Sequence, residues 1–139
     1  MVLDCWTDGS SINNHGGWAF LIKNGNEPVS EASGRVDDTT NNMAELIAIQ
    51  RVLRTLPLLD FSNINEVKIY TDSKYAIGVI DFNYKIYKNK ELIQEIKKDL
   101  AELRKHTEIN FIFLGRRRGV ESKFVDFSAN QQAKKLKNG

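Results

Sequence analysis

A chain of 139 residues and 15.9 kDa, 41% hydrophobic and 27% charged, has the ordinary balance of a soluble globular protein, and one domain spanning residues 1–139 is the expected organisation. No apolar run approaches the roughly 18 residues of a membrane-spanning helix, and two prolines with nine glycines are too few for a fibrous or low-complexity chain, so both classes are excluded. The net charge of +2 conceals an asymmetry: residues 1–60 carry eight acids and four bases, residues 61–139 ten acids and sixteen bases, as a metal-holding centre beside a polyanion-holding surface would, with scattered solvated lysines as the plain alternative.

The first strand is expected over residues 3–7, where apolar and polar residues alternate. It contains Cys5, the one cysteine, which cannot close an internal disulfide; the start also lacks the basic, apolar and small-residue regions of a secretion signal, so a reducing cytoplasmic location is expected. Turn formers fill residues 10–16, and residues 17–23, rich in aromatic and β-branched side chains, predict a second strand. The turn cluster 24–28 leads to a third, 29–36, so the first third reads as an antiparallel meander.

The period then changes. Met43, Leu46, Ile47, Gln50, Leu53 and Leu56 follow helical spacing, with Thr40, Asn41 or Asn42 as cap and Pro57 as terminator. Residues 67–71 predict a fourth strand, 73–82 a short helix, and 83–89 a polar connection; Leu92, Ile93, Ile96, Leu100 and Leu103 mark an amphipathic helix. Residues 109–114, apolar on both faces, predict a strand buried between layers, and Val125, Ala129, Ala133 and Leu136 outline a last helix. The order suggests an α/β fold with a five-stranded mixed sheet and helices packed on it.

Two near-identical tripeptide starts carry the sharpest chemical signal. Thr7, Asp8, Gly9 and Ser10 end the first predicted strand, and Thr71, Asp72 and Ser73 end the fourth. Either aspartate alone is equally a turn or cap residue. On neighbouring parallel strands, the two carboxylates converge at the sheet edge where ligands of open α/β sheets bind. A third acid, Glu45, lies one turn into the first helix, bracketed by Met43, Leu46 and Ile47, and a covered carboxylate needs a partner or a cation. Three carboxylates brought together raise one another's pKa values unless a divalent ion holds them, and an all-oxygen ligand set suits magnesium or manganese rather than zinc.

These motifs, with Thr40, Asn41 and Asn42 leading to Glu45, resemble the active-site motifs of type 1 ribonuclease H in the same order, and the resemblance covers essentially the whole chain. It implies a ribonuclease H-like fold, three antiparallel strands then two parallel with helices on both faces. It implies an endoribonuclease that hydrolyses the RNA strand of RNA/DNA hybrids with two Mg2+ ions, Mn2+ being a substitute, to give 5′-phosphate and 3′-hydroxyl ends. Asp8 would bridge both ions, with Glu45, Asp72 and a fourth carboxylate at the start of the last helix dividing the remaining positions. Asp126, eleven residues after Gly115, resembles that fourth position; Asn130 is the rival, because the stretch from Ser128 to Ala133 also resembles the helix motif, shifted by four residues. A one-turn shift preserves the helix face, so both stay open.

Asn14, Asn41 and Asn42 match family positions that touch the hybrid, and Lys74, two residues after Asp72, is placed to reach a phosphate. The chain departs from the family where Gly-His is usual: Gly115 is followed by Arg116, Arg117 and Arg118, and the histidines, His15 and His106, lie elsewhere. Arginine cannot serve as a general acid or base near neutral pH but can hold a phosphate, so Arg116 and Arg118 are candidate substrate contacts. The family's basic protrusion looks absent, with only residues 83–89 in its place; Lys85, Lys88, Lys90, the arginine loop, Lys134, Lys135 and Lys137 form a compensating electrostatic footprint. The expected partner is an RNA/DNA hybrid, with double-stranded RNA a second candidate, no membrane, and a monomeric protein. A catalytically decayed nucleic-acid-binding module is the alternative, although grouped acids that repel phosphate serve no purpose in one.

Overall fold

The computed structural model describes residues 1–59, 63–115 and 119–135. Strands β1 (Val2–Ile12) and β2 (His15–Asn24) form an antiparallel hairpin. Its turn is only Asn13 and Asn14, at φ 50° and 66°; two successive positive-φ residues match the twist of the flanking strands, and asparagine tolerates that conformation well. β3 (Glu27–Asp37) pairs antiparallel with β2. β4 (Glu66–Thr71) pairs parallel with β1, and β5 (Glu108–Phe113) parallel with β4. The sheet order β3-β2-β1-β4-β5 is the expected mixed sheet, antiparallel on one side and parallel on the other.

Four helices complete the chain: α1 (Asn41–Thr55), α2 (Lys74–Asp81), α3 (Lys90–Arg104) and α4 (Val120–Lys134). Strand alternation decides which face each helix covers. Leu3 and Cys5 of β1, with Trp18, Phe20 and Ile22 of β2, pack against Leu46, Ile49, Val52 and Leu53 of α1, with Val79 of α2 and Ile93 and Ile96 of α3 in the same core. The intervening Ala19 and Leu21 pack against Val125 and Ala129 of α4, with Trp6 beside them. Helices therefore lie on both faces. α4 sits close because Gly17 has no side chain: a Cβ there would stand 2.0 Å from the Ala129 carbonyl oxygen.

Helices α1 and α2 both start on a hydroxyl cap. The Thr40 hydroxyl accepts from the Met43 N–H at 3.2 Å and that of Ser73 from the Ala76 N–H at 3.0 Å, each satisfying a donor the helix cannot. Thr40→Ala is expected to cost about 1 kcal/mol, a fall of about 3 °C in the thermal midpoint.

Three elements differ from expectation. β1 runs on to Ile12 instead of ending at Thr7, because the turn formers of residues 10–12 pair with β2 and only Asn13 and Asn14 turn. β5 is an edge strand, not one buried between layers: Ile109 is buried, but Phe113 is 42% exposed. α4 begins at Val120, two turns before Asp126; its first turns bury Ser122 and leave Val120 and Phe124 exposed, so the apolar period there is silent. Asp126 thus lies within the helix rather than at its start.

Candidate active site

The parallel pairing of β1 with β4 ends at Trp6 and Tyr70, and the acids lie just beyond that end. The Thr7 hydroxyl donates to the Tyr70 carbonyl at 3.2 Å, and the Leu114 N–H to the Thr71 carbonyl at 2.8 Å, tying β1, β4 and the end of β5 together. The Thr7 hydroxyl thus fixes the end of the β1–β4 pairing, and Ser73 starts α2. Asp72 stands between the two, half-buried.

Gly9 brings in the third acid. A Cβ on it would lie 2.2 Å from the carbonyl carbon of Ala44 and 2.3 Å from the nitrogen of Glu45. Only glycine lets the second turn of α1 rest on β1 at this point, and that approach sets Glu45 beside Asp8. One carboxylate oxygen from each of Asp8, Glu45 and Asp72 can be chosen so that all three lie within 4.8 Å of one another. Asp8 is 5% exposed and Glu45 8%. Asp126 approaches from α4 and acts on the Asp8 carboxyl by hydrogen bond and charge, beside the group formed by the other three acids. Four elements of the fold thus converge on one point.

Burial pushes the Asp8 carboxyl up to about 7, helped by its hydrogen bond to Asp126 and by the charges of Asp72 and Asp126, while a hydrogen bond to Glu45 acts the other way. Burial, then the charge of Asp8, holds Glu45 well above the usual carboxylate range. Asp8 and Glu45 each act on the other's carboxyl, and Glu45 Oε2 is buried with no hydrogen-bond partner among the described residues. An all-oxygen cluster whose buried members Asp8 and Glu45 resist ionisation, and which holds an orphaned acceptor, fits a hard divalent cation.

A pH consequence follows for the metal-free protein. A group whose pKa is raised on folding stabilises the fold fully below its unfolded pKa, near 4, and loses that contribution as pH rises through its folded value, about 7. In chelator, the contribution of Asp8 to the thermal midpoint is expected to fall between pH 4 and pH 7, and divalent metal is expected to restore it. Differential melts of the protein against Asp8→Asn across that range measure it; a constant difference between the two would refute the assignment.

The other predicted site residues are distributed around this centre. Asn14, in the β1–β2 turn, accepts the Thr39 N–H on its carbonyl at 3.0 Å. Asn41 accepts the Ser11 N–H on Oδ1 at 2.7 Å, joining the start of α1 to β1, and Asn42 is exposed beside it. The Lys74 ammonium lies 5.1 Å from the centre of the Phe113 ring. Arg116, Arg118 and Lys137 lie outside the described residues. His15 meets Arg35 at 3.2 Å and Asp37 at 3.7 Å, as a turn-flanking surface residue does. Asn130, the rival of Asp126, accepts from the Ser10 hydroxyl at 2.7 Å. The sequence singled out neither Ser10 nor Gly9 for this positioning, although Gly9 directly after the aspartate was the one available signal.

Residues 2–134 match the family model described as RNase H. A protein named ribonuclease H from Campylobacter concisus is 31% identical, over 99% of this chain and 96% of its own length. LC11-RNase H1, isolated from compost by a metagenomic approach, superposes with a TM-score of 0.79 at 22% identity, covering 94% of each chain. The same protein solved in complex with an RNA/DNA hybrid gives 0.75 at 21% identity, over 93% of this chain and 94% of that one. The family match across nearly the whole length, a full-length relative above 30% identity and the shared fold place the chain in the ribonuclease H family of nucleases.

Proposed function

We propose that the protein hydrolyses the RNA strand of RNA/DNA hybrids, using two divalent cations, Mg2+ or Mn2+, held by Asp8, Glu45, Asp72 and Asp126. The observation that carries this reading is the gathering of three carboxylates, with the unpartnered Glu45 Oε2 buried among them, at one point of a ribonuclease H chain. Such ions supply an activated water and stabilise the leaving 3′ oxygen of an in-line displacement, which gives 5′-phosphate and 3′-hydroxyl ends.

The chain's own residues do the rest. Asp8, central in the cluster, would be the ligand common to both ions, with Glu45, Asp72 and Asp126 holding the remaining positions. The tie from Asn41 to the Ser11 N–H fixes the junction of α1 and β1. Asn14 and Asn42 on the same rim are short polar groups suited to the 2′-hydroxyls of a wide, shallow minor groove. Lys74, Arg116 and Arg118 supply cations for the phosphates. The complex of LC11-RNase H1 with an RNA/DNA hybrid supports this choice of substrate.

The test is a panel of end-labelled RNA/DNA hybrid, double-stranded RNA, single-stranded RNA and double-stranded DNA. Loss of the hybrid's RNA strand alone, with fragments that carry 3′-hydroxyl ends, is the expected outcome. Hybrid binding without cutting in either metal would instead make the protein a decayed binding module.

A further inference from the structure

Asn130 and Ser10 form a second rung between α4 and β1. Ser10 is two residues after Asp8 and so lies on the same side of β1; Asn130 is one turn after Asp126 and on the same face of α4. The rung formed by Asp126 and Asp8 is thus followed, one helical turn along, by a neutral one. In the second, the Ser10 hydroxyl donates to Asn130 Oδ1 at 2.7 Å. That separation is the usual length for an O–H···O bond and at the short end for an N–H···O one, which favours the amide with its oxygen on the serine. The other half, the Nδ2 group, meets no acceptor among the described residues, and Asn130 is only half-buried.

We propose that Asn130, seated by Ser10, donates from Nδ2 to a backbone oxygen of the RNA strand about one nucleotide from the cleaved phosphate, and does not ligate metal. The inference rests on the hybrid-cleavage reading above. One helical turn separates Asn130 from Asp126, about 6 Å along the axis, comparable to the step between neighbouring backbone groups of a nucleic acid. The acceptor is either a ribose 2′-hydroxyl or a non-bridging phosphate oxygen, both of which accept an amide N–H.

Steady-state cleavage by three variants tests this. Asn130→Ala is expected to raise KM for the hybrid roughly five- to tenfold, to change kcat by less than about threefold, and to leave the Mg2+ concentration for half-maximal rate unchanged. Asn130→Asp is expected to be worse than Asn130→Ala, because it replaces the donor with a charge that repels the strand. Ser10→Ala, which keeps Asn130 but loosens its seat, is expected to raise KM by a smaller factor, and thermal melts establish that each variant is folded. Hybrids carrying a single 2′-deoxy or a single methylphosphonate substitution identify the acceptor: the substitution that weakens the wild type but not Asn130→Ala marks it. An unchanged KM in Asn130→Ala, or an Asn130→Asp that works at lower Mg2+ than the wild type, would overturn the proposal. A wild type that neither binds nor cuts the hybrid would defeat the underlying reading instead, which hybrid binding measured by fluorescence anisotropy distinguishes.

Discussion

Asp8→Asn is expected to lower cleavage of the hybrid on the order of a thousandfold while making the metal-free protein more stable at pH 7. The loss reflects the position of Asp8 between Glu45, Asp72 and Asp126. Replacing its charge with a neutral amide removes several kcal/mol of cation-borne stabilisation from the transition state, and each 1.36 kcal/mol is tenfold in rate. The gain comes from the same burial. With no cation present, ionising this carboxyl works against its environment and against two neighbouring acids, which is why its pKa stands at about 7. Asparagine keeps an oxygen for the Gly9 N–H, which Asp8 Oδ1 accepts at 2.9 Å, and carries no charge to desolvate. A rise of about 1–3 kcal/mol at pH 7 is expected, shrinking towards pH 4, where Asp8 is protonated in the folded protein. Thermal melts in chelator at the two pH values read it directly; a variant that cuts normally, or one that is less stable at pH 7, would contradict the role given to Asp8.

Gly9→Ala is expected to harm both fold and activity although it touches no charge. Its Cβ would fall 2.2 Å from the Ala44 carbonyl carbon, 2.3 Å from the Glu45 nitrogen and 2.4 Å from the Ala44 oxygen. All three are backbone atoms of a helix packed on the core, so α1 must retreat from β1. Overpacking of this kind costs about 3 kcal/mol, a fall of about 10 °C in the thermal midpoint. The retreat carries Glu45 away from Asp8, and a misplacement of about 1 Å in a catalytic group costs about a hundredfold. Gly25→Ala is the control: Gly25 has φ 61° but nothing within 4 Å of the added carbon, so it should lose about 1 kcal/mol and no activity. Equal behaviour of the two variants would show that Gly9 serves only backbone conformation and not the approach of α1.

Those two residues also mark what could be read in the sequence. Asp8 and Asp72 were legible because the same Thr-Asp pair recurs in two strand segments, and Glu45 because helical periodicity placed it one turn into α1. The sheet was legible from the change of period after β3 and from the return to strands at β4 and β5. The extent of β1 was not, since Ser10 and Ser11 have turn-forming character and are held in the strand by β2 and by the Asn41 side chain. The start of α4 was hidden because Val120, Phe124 and Phe127 are exposed while Ser122 is buried, the reverse of the usual pattern. The choice between Asp126 and Asn130 depends on which side chain faces which partner across β1, and helical spacing holds no such information. Their contacts differ, Asp126 to Asp8 and Asn130 to Ser10. The role of Gly9 is a matter of tertiary approach alone.

The most direct measurement is cleavage of an end-labelled RNA strand annealed to DNA by the wild type and Asp8→Asn side by side, as Mg2+ or Mn2+ is titrated from chelator upward. The wild type is expected not to cut in chelator and to cut the RNA strand once metal is in excess, and Asp8→Asn is expected to cut almost nothing at any metal concentration. Cutting that persists in chelator, or an Asp8→Asn variant that follows the wild-type metal curve, would contradict the assignment of the carboxylate cluster as the metal-holding centre.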